Sequence, residues 1–464
     1  MLLVAVALVY AFLFVLFRRL RPSSSLPLPP SPSWSFPLLG HAVHLSKEQP
    51  FKKIDQWSKA LGDVMTVNFG MDSVIVISRQ RLLGEAFVRQ GANFAGRPSL
   101  FVHESCWGKG IVIRDGKEAN RLRSFVLSTI RQRMARESDS VQSLVTRETC
   151  LLVERLRERI SSSSLSHSTT SIEDDLFFVV GNVMTQLTFG RRFPHGSEED
   201  NAAWLTTTTE LMERTALITF LPWLRWMPYF KYFEMKEKAA EVHATMMEDV
   251  RGRRKSGEYL DEEKCDLVSV FMRKTECNTF GWAFLYLAMN EDVQEKCRGQ
   301  IHEELGREGE VRWDNRLCLP YLEAVIAETQ RCANVAPFGL FHKNHEEAVL
   351  DGYRIPAGSI VMMNLYSTLT DPEVFPDPHR FLPERFLNID GSIDSSVMRA
   401  SVPYGMGSRI CMGETIARTE LFTVIGTLLQ KFRFSLIPGR IYSCEQKMQL
   451  TIQAEKYSLR IDPV

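Results

Sequence analysis

Tyr404-Gly405-Met406-Gly407-Ser408-Arg409-Ile410-Cys411-Met412-Gly413 is the stretch that decides the reading of this 464-residue chain. Cys411 sits among three glycines, directly before a segment with Ala417, Leu421, Val424 and Leu428 at i, i+4, i+7 and i+11. That spacing predicts an amphipathic helix. Glycines let the backbone approach a large flat object and reach φ > 0. A cysteine at a helix N-terminus is favoured as thiolate by the dipole and by free amide donors. One thiolate with no partner ligand nearby suits a cofactor that supplies its own in-plane ligands. Haem b (iron protoporphyrin IX) is that cofactor, with Cys411 as the axial ligand of its iron; such a thiolate pushes electron density toward O–O cleavage. Arg409, two residues earlier, is placed to pair with a haem propionate. A buried inert thiol is the commonest fate of a lone cysteine. Chance, however, produces Gly-x-Arg-x-Cys-x-Gly in only about a few per thousand chains of this length, which favours the cofactor loop.

Outward from the loop, Glu328 and Arg331 lie at i and i+3 in Leu319–Cys332, a segment with helical periodicity. The same Glu-x-x-Arg pattern at Glu118 and Arg121, and at Glu154 and Arg157, reads as a solvated helix face. The Glu328 pair gains weight because Pro383-Glu384-Arg385-Phe386 lies between it and the cysteine loop. A buried Glu flanked by two arginines is a structural lock rather than a catalytic acid.

The rest of the chain sets the compartment and the fold class. Lys and Arg total 56, as do Asp and Glu, which argues against nucleic acid as the main partner. Nine scattered cysteines without a Cys-x-x-Cys pair exclude a disulfide scaffold and a structural zinc site, and fit a reducing compartment. Met1 to Phe17 are uncharged, and Arg18, Arg19 and Arg21 follow. A cleaved signal peptide carries its basic residues before the apolar run. Here they follow it, which predicts an uncleaved membrane anchor over residues 1–21 with the remainder on the cytosolic side. Residues 22–45 read as a proline-rich linker, and 46–464 as one catalytic domain. Ser161–Ser171 and Thr206–Thr209 read as surface loops, and Glu248–Asp266 as a solvated helix end and loop. Helical periodicity fills most of residues 80–335. Strands are expected at Val64–Ser78 and at Tyr353–Met363, where Pro356 and Gly358 turn the chain. The fold class is mostly α with a small β region (α+β).

Glu328 with Arg331, then Arg385, then the cysteine loop, in this order, resemble the cytochrome P450 family of haem-thiolate monooxygenases. The likeness runs over nearly the whole chain. Gly96-Arg97-Pro98, Leu187-Thr188-Phe189-Gly190-Arg191-Arg192-Phe193, Leu221-Pro222-Trp223-Leu224-Arg225 and Gly352-Tyr353-Arg354-Ile355-Pro356 look like the microsomal, drug- and steroid-hydroxylating animal branch. The resemblance implies that Cys411 is the proximal iron ligand and that Glu328, Arg331 and Arg385 form a structural triad. It implies that Arg409, Arg123 and His342 contact the propionates. It also implies O2 and a lipophilic small molecule as substrates, an NADPH-dependent flavoprotein reductase as electron donor, and the endoplasmic reticulum membrane as location.

Several positions depart from the family. Tyr404 stands where Phe is usual, Ala119 replaces a Trp four residues before Arg123, and Trp107 occupies the place of a further propionate-binding arginine. The family places a small-residue, acid and threonine motif in the middle of its long central helix, where acid and threonine relay protons to the oxygen site. Phe271, Met272, Arg273, Lys274 and Thr275 align there, and only Thr275 matches in type, so it is the candidate catalytic residue. A helix from Thr275 to Met289 covers about 22 Å, too short to cross such a domain. An apparent deletion of about thirty residues before Thr275 follows from the family's usual span, giving the fold a shortened central helix. The leading function is a membrane-bound monooxygenase; the competitors are a haem-thiolate peroxide isomerase and a haem-binding form with impaired catalysis. Without the acid, the short form is expected to release much of its reducing power as hydrogen peroxide.

Overall fold

The computed structural model describes residues 26–32, 34–45, 49–102, 105, 110–134, 140–162, 168–189, 192, 216–241, 244, 267–448 and 451–464. The expected anchor over residues 1–21, Trp107, Thr206–Thr209 and all of Glu248–Asp266 fall outside these. Among the described residues no helix is long and apolar enough to cross a membrane.

Proline and glycine set many of the element boundaries. Helix α1 (Pro50–Leu61) opens on a proline, whose missing N–H costs nothing at a helix start, and stops at Gly62 with φ 110°. Strands β1 (Val64–Phe69) and β2 (Asp72–Ile77) form the expected hairpin, with Val67 opposite Val74. The helices then follow as α2 (Gln80–Gly84), α3 (Gly116–Met134) and α4 (Val141–Ser162). Strand β3 (Ser168–Thr170) and α5 (Glu173–Phe189) come next. The serine tract expected as a loop thus supplies the end of α4 and a strand. The central helix α6 (Leu267–Met289) precedes α7 (Glu291–Leu305) and α8 (Pro320–Ala333). Helix α8 also starts on proline, and it ends where Asn334 turns left-handed at φ 46°.

Four short strands follow: β4 (His342–Lys343), β5 (Ala348–Leu350), β6 (Tyr353–Ile355) and β7 (Ile360–Met363). The two strands flanking Pro356 and Gly358 exist but do not pair with each other. Strand β6 pairs with β5, while β7 joins the first sheet in the order β1-β2-β7-β4. Beyond α9 (Leu365–Leu369) and α10 (Ser395–Ala400) comes α11 (Glu414–Lys431). Strand β8 (Phe432–Ser435), a β9–β10 pair (Lys447–Met448 with Ile452–Gln453) and β11 (Leu459–Pro463) close the chain. Strand β11 lies between β3 and β8.

Three expectations change. Helix α11 is not amphipathic: Leu421, Phe422, Val424, Ile425, Leu428 and Leu429 are all buried, because α4, α6, α7 and α8 surround it. The central helix begins at Leu267 rather than Thr275, which makes it 23 residues and about 34 Å long. The described part of the linker is docked rather than free. Thr66 donates its backbone N–H to the Pro30 carbonyl at 2.7 Å, Arg354 donates to Pro27 at 2.8 Å, and His41 donates to Asn68 at 2.7 Å. An extended, proline-rich chain has unspent carbonyls, and the edge of β1 supplies donors for them.

Candidate functional site

The glycine-rich loop is held against the segment after α2. Gly407 has φ 78°, and a side chain there would collide with the Phe87 carbonyl, so both the turn and the close approach require glycine. The Cys411 N–H donates to the Tyr404 carbonyl at 3.1 Å, and the Gly413 N–H faces the sulfur. Burial nevertheless dominates and pushes the Cys411 thiol up to about 11, with Glu276 and Glu414 adding to the effect. The expectation that the helix terminus alone holds a thiolate is therefore corrected. The sulfur needs a cation, and a coordinated metal ion deprotonates a thiol outright.

Four basic residues distant in sequence converge beside this loop. Arg409 donates to the Ala95 carbonyl at 2.9 Å and the Arg114 carbonyl at 3.1 Å. Arg123, from α3, donates to the Ile410 carbonyl, one residue before Cys411. His342, on β4, shares a 2.9 Å hydrogen bond with the Phe94 carbonyl and packs edge-on against Phe87. Arg97 donates to Phe341 at 2.6 Å and to Val112 at 3.1 Å. Burial, then the charges of Arg409 and Arg123, push Arg97 down to about 9. Burial and Arg97 push His342 down to about 3. Asp115 approaches Arg409 at 3.9 Å but also serves Lys343 and His345. Three guanidiniums held together mainly by neutral carbonyls make a site short of negative charge. Two carboxylates of a bound haem would supply it, so the residues present fit that group.

Arg97, within Gly96-Arg97-Pro98, has no local sequence signal for this position. An arginine in an irregular segment carries no periodicity to mark it, and its neighbours lie far along the chain. Trp107 lies outside the described residues. Ala119, where a Trp would be usual, is fully buried.

The triad is assembled as expected. Glu328 and Arg331 are both fully buried, with Arg331 Nε 2.7 Å and Arg385 Nε 3.0 Å from the Glu328 carboxylate. The Leu382 N–H also donates to Glu328, at 2.8 Å, and Arg331 reaches the Leu369 carbonyl at 3.0 Å. The Glu328 carboxylate thus accepts from Arg331, Arg385 and Leu382, which marks a structural device joining α8 to the segment before the cysteine loop. The two Glu-x-x-Arg pairs read as solvated, in α3 and α4, are exposed.

Thr275 lies within α6, and its side chain is outside what the structure describes. Its neighbour Glu276 is buried and lies against the buried Glu420 of α11. No sequence pattern linked these two acids, which stand 144 positions apart. Tyr404 meets its expected need for a partner, because Gln330 donates to its hydroxyl at 2.6 Å.

A largely helical fold that presents one sulfur from a glycine-rich loop, next to buried cations awaiting an acidic group, defines a haem-thiolate protein. The cytochrome P450 family model matches residues 29–279 and 273–461. Human cytochrome P450 1A2 is 30% identical over 481 residues, covering 93% of this chain and 90% of the relative. Cytochrome P450 1A1 of Macaca fascicularis is 27% identical (93% and 92% covered), and cytochrome P450 2J3 of Rattus norvegicus is 26% identical (98% and 95% covered). The chain belongs to the cytochrome P450 family. It is a haem-b-dependent monooxygenase of the animal drug-metabolising type.

Proposed function

We propose that Cys411 is the axial ligand of the haem iron and that Arg409, Arg123 and His342, joined by Arg97, hold the propionates. The observation that carries this reading is the convergence of these four basic groups on the loop that presents Cys411. Bound there, the haem supplies the redox chemistry that splits O2, while the protein binds substrate and delivers protons. Reduced, CO-treated protein should show the red-shifted Soret band of thiolate ligation, and Cys411→Ala should abolish it. A thiolate spectrum surviving that substitution sinks the assignment.

The substrate in this reading is a lipophilic small molecule, and the electron donor is an NADPH-dependent flavoprotein reductase. Leu217–Tyr229 and Val335–Phe341 are chiefly apolar with few charges, which suits an apolar ligand. The enzyme works at the endoplasmic reticulum membrane with its catalytic domain in the cytosol. Beyond the apolar residues 1–17, an exposed patch supports this placement. Trp223, Trp226, Tyr229 and Phe233 are exposed, as are Trp34, Phe36 and Leu38. The two groups adjoin, since Gly70 lies against both the Phe220 and Leu38 carbonyls. Exposed tryptophans and tyrosines on one face suit a lipid headgroup layer.

An observation also bears on whether the proton relay is impaired in this form. The family match breaks into two stretches that overlap at 273–279, where the deletion is inferred. The 481-residue alignment with the human relative also exceeds what 93% of this chain supplies, so it opens gaps on this chain's side. Product formed per NADPH consumed measures the impairment directly.

A further inference from the structure

His41 is fully buried, and both of its ring nitrogens are engaged. The Asn68 N–H of β1 donates to Nδ1 at 2.9 Å, and Nε2 lies 3.2 Å from the Pro32 carbonyl. A backbone N–H can only donate, so Nδ1 carries no proton. The ring proton sits on Nε2 and goes to Pro32, which fixes a neutral ring in one tautomer. His41 thereby joins the two ends of residues 32–41 and ties them to the edge of β1. Inside the loop so closed, Phe36 and Gly40 exchange backbone hydrogen bonds at 2.9 and 2.8 Å. Gly40 turns at φ 66°, and a side chain there would collide with the Asn68 carbonyl. Trp34, Phe36 and Leu38 form the exposed face of this loop. Trp34 packs edge-on against Phe36 at 4.3 Å, and Phe36 leans on His44 at 5.8 Å. The groups around the His41 ring carry no negative charge. The linker and β1 present Pro32 and Asn68, and His44 lies 6.5 Å away, ring to ring. From α1 comes Trp57, edge-on at 5.6 Å, with the Lys53 ammonium 5.8 Å over its ring.

We propose that His41 is a proton-sensitive latch, which when neutral closes residues 32–41 into a loop that displays Trp34, Phe36 and Leu38 to lipid, and when protonated releases that loop. The use of the loop rests on the membrane placement above; the latch itself does not. Protonation turns the Nδ1 acceptor into a donor that faces the Asn68 N–H, leaving a buried amide without a partner. Burial above all, opposed by the Pro32 bond and aided by a charge on His44, holds the ring's pKa below its ordinary 6.5. The closed loop therefore has its full stability above pH 6.5 and loses it as pH falls through the lowered value. At neutral pH the latch is closed. A loop ordered in advance meets the headgroup layer without losing conformational entropy there.

Hydrogen exchange in the full-length, haem-bound protein reads the latch without a membrane. The Asn68, Phe36 and Gly40 amides should be protected at neutral pH. Below pH 6.5 their exchange, corrected for the intrinsic rate, should rise at least about tenfold. His41→Gln keeps a donor and an acceptor but takes no charge, so it should hold the loop and abolish the pH dependence. His41→Leu should expose the three amides at every pH. Protection in the parent that acid leaves unchanged, a result that needs no variant to fold, overturns the latch. The same acid response in His41→Gln overturns it as well. In vesicles carrying brominated lipid, the quenching that disappears on Trp34→Phe reports contact of that side chain with lipid. It should be present in the parent and in His41→Gln, and weakened in His41→Leu. Equal quenching in His41→Leu would take the loop out of the latch's control. No such quenching in a parent whose amides respond to acid would instead strike at the membrane placement beneath.

Discussion

His342 carries a pH signature that its sequence context does not reveal. Burial first, then the charge of Arg97, holds its ring neutral and pushes its pKa down from 6.5 to about 3. The unfolded chain takes up a proton below 6.5 while the folded chain does not. His342 therefore contributes stability that is fully present above pH 6.5 and is lost as pH falls toward 3, at up to about 1.4 kcal/mol per pH unit. Urea unfolding of the haem-free protein across that window should show a shallower acid loss in His342→Gln than in the parent. Glu328 gives a larger effect at any pH near neutrality. Replacing it with Gln leaves the Arg331 and Arg385 guanidiniums buried without their carboxylate. Breaking a buried pair in this way costs about 3–5 kcal/mol. The unfolding midpoint in urea should fall accordingly, with haem lost at lower denaturant than in the parent.

Among elements, the proline-rich segment and the exposed aromatic patch divide the membrane question. Removing residues 1–21 should shift the protein toward the soluble fraction without altering the reduced-CO spectrum, because the linker beyond the cut keeps its own hydrogen bonds to the domain, at Pro27 and Pro30. A bound remainder should persist through the tryptophan-rich face. Adding Trp226→Ser and Tyr229→Ser to the truncation should release that remainder, read by flotation with anionic vesicles. Complete retention of the doubly substituted protein would exclude this face. A cut at residue 45 is a different experiment, since it strips the edge of β1 of the Pro30 carbonyl and of His41, and Arg354 of β6 of the Pro27 carbonyl. It should lower thermal stability as well as membrane binding.

At the scale of the whole molecule, the reach of α6 across the domain bears on coupling. Thr275→Ala in this 464-residue chain should change product per NADPH little. Restoring about thirty residues before Thr275 should raise coupling above that of the present chain. A large loss with Thr275→Ala alone would return the proton route to the family's threonine. Coupling of NADPH to product, with peroxide measured alongside, separates these results.

The glycine loop, the triad and the first hairpin were legible because each is written locally: a turn chemistry, an i, i+3 spacing and an alternation of β-branched residues bounded by Gly70. The sequence by itself determined the mostly helical class and the family, and it singled out the sulfur proposed for the iron. Burial and distant pairing were decided only by the tertiary structure. Periodicity reports one apolar face, so it could not show that α11 is enclosed on every side. A proline run reads as a spacer until a sheet edge donates to its carbonyls. The charge state of Cys411 follows from desolvation, which no local motif encodes. Arg97 joins Arg123 and Arg409, and Glu276 meets Glu420, only when segments far apart in the chain are packed together. Those meetings set the electrostatics of the site.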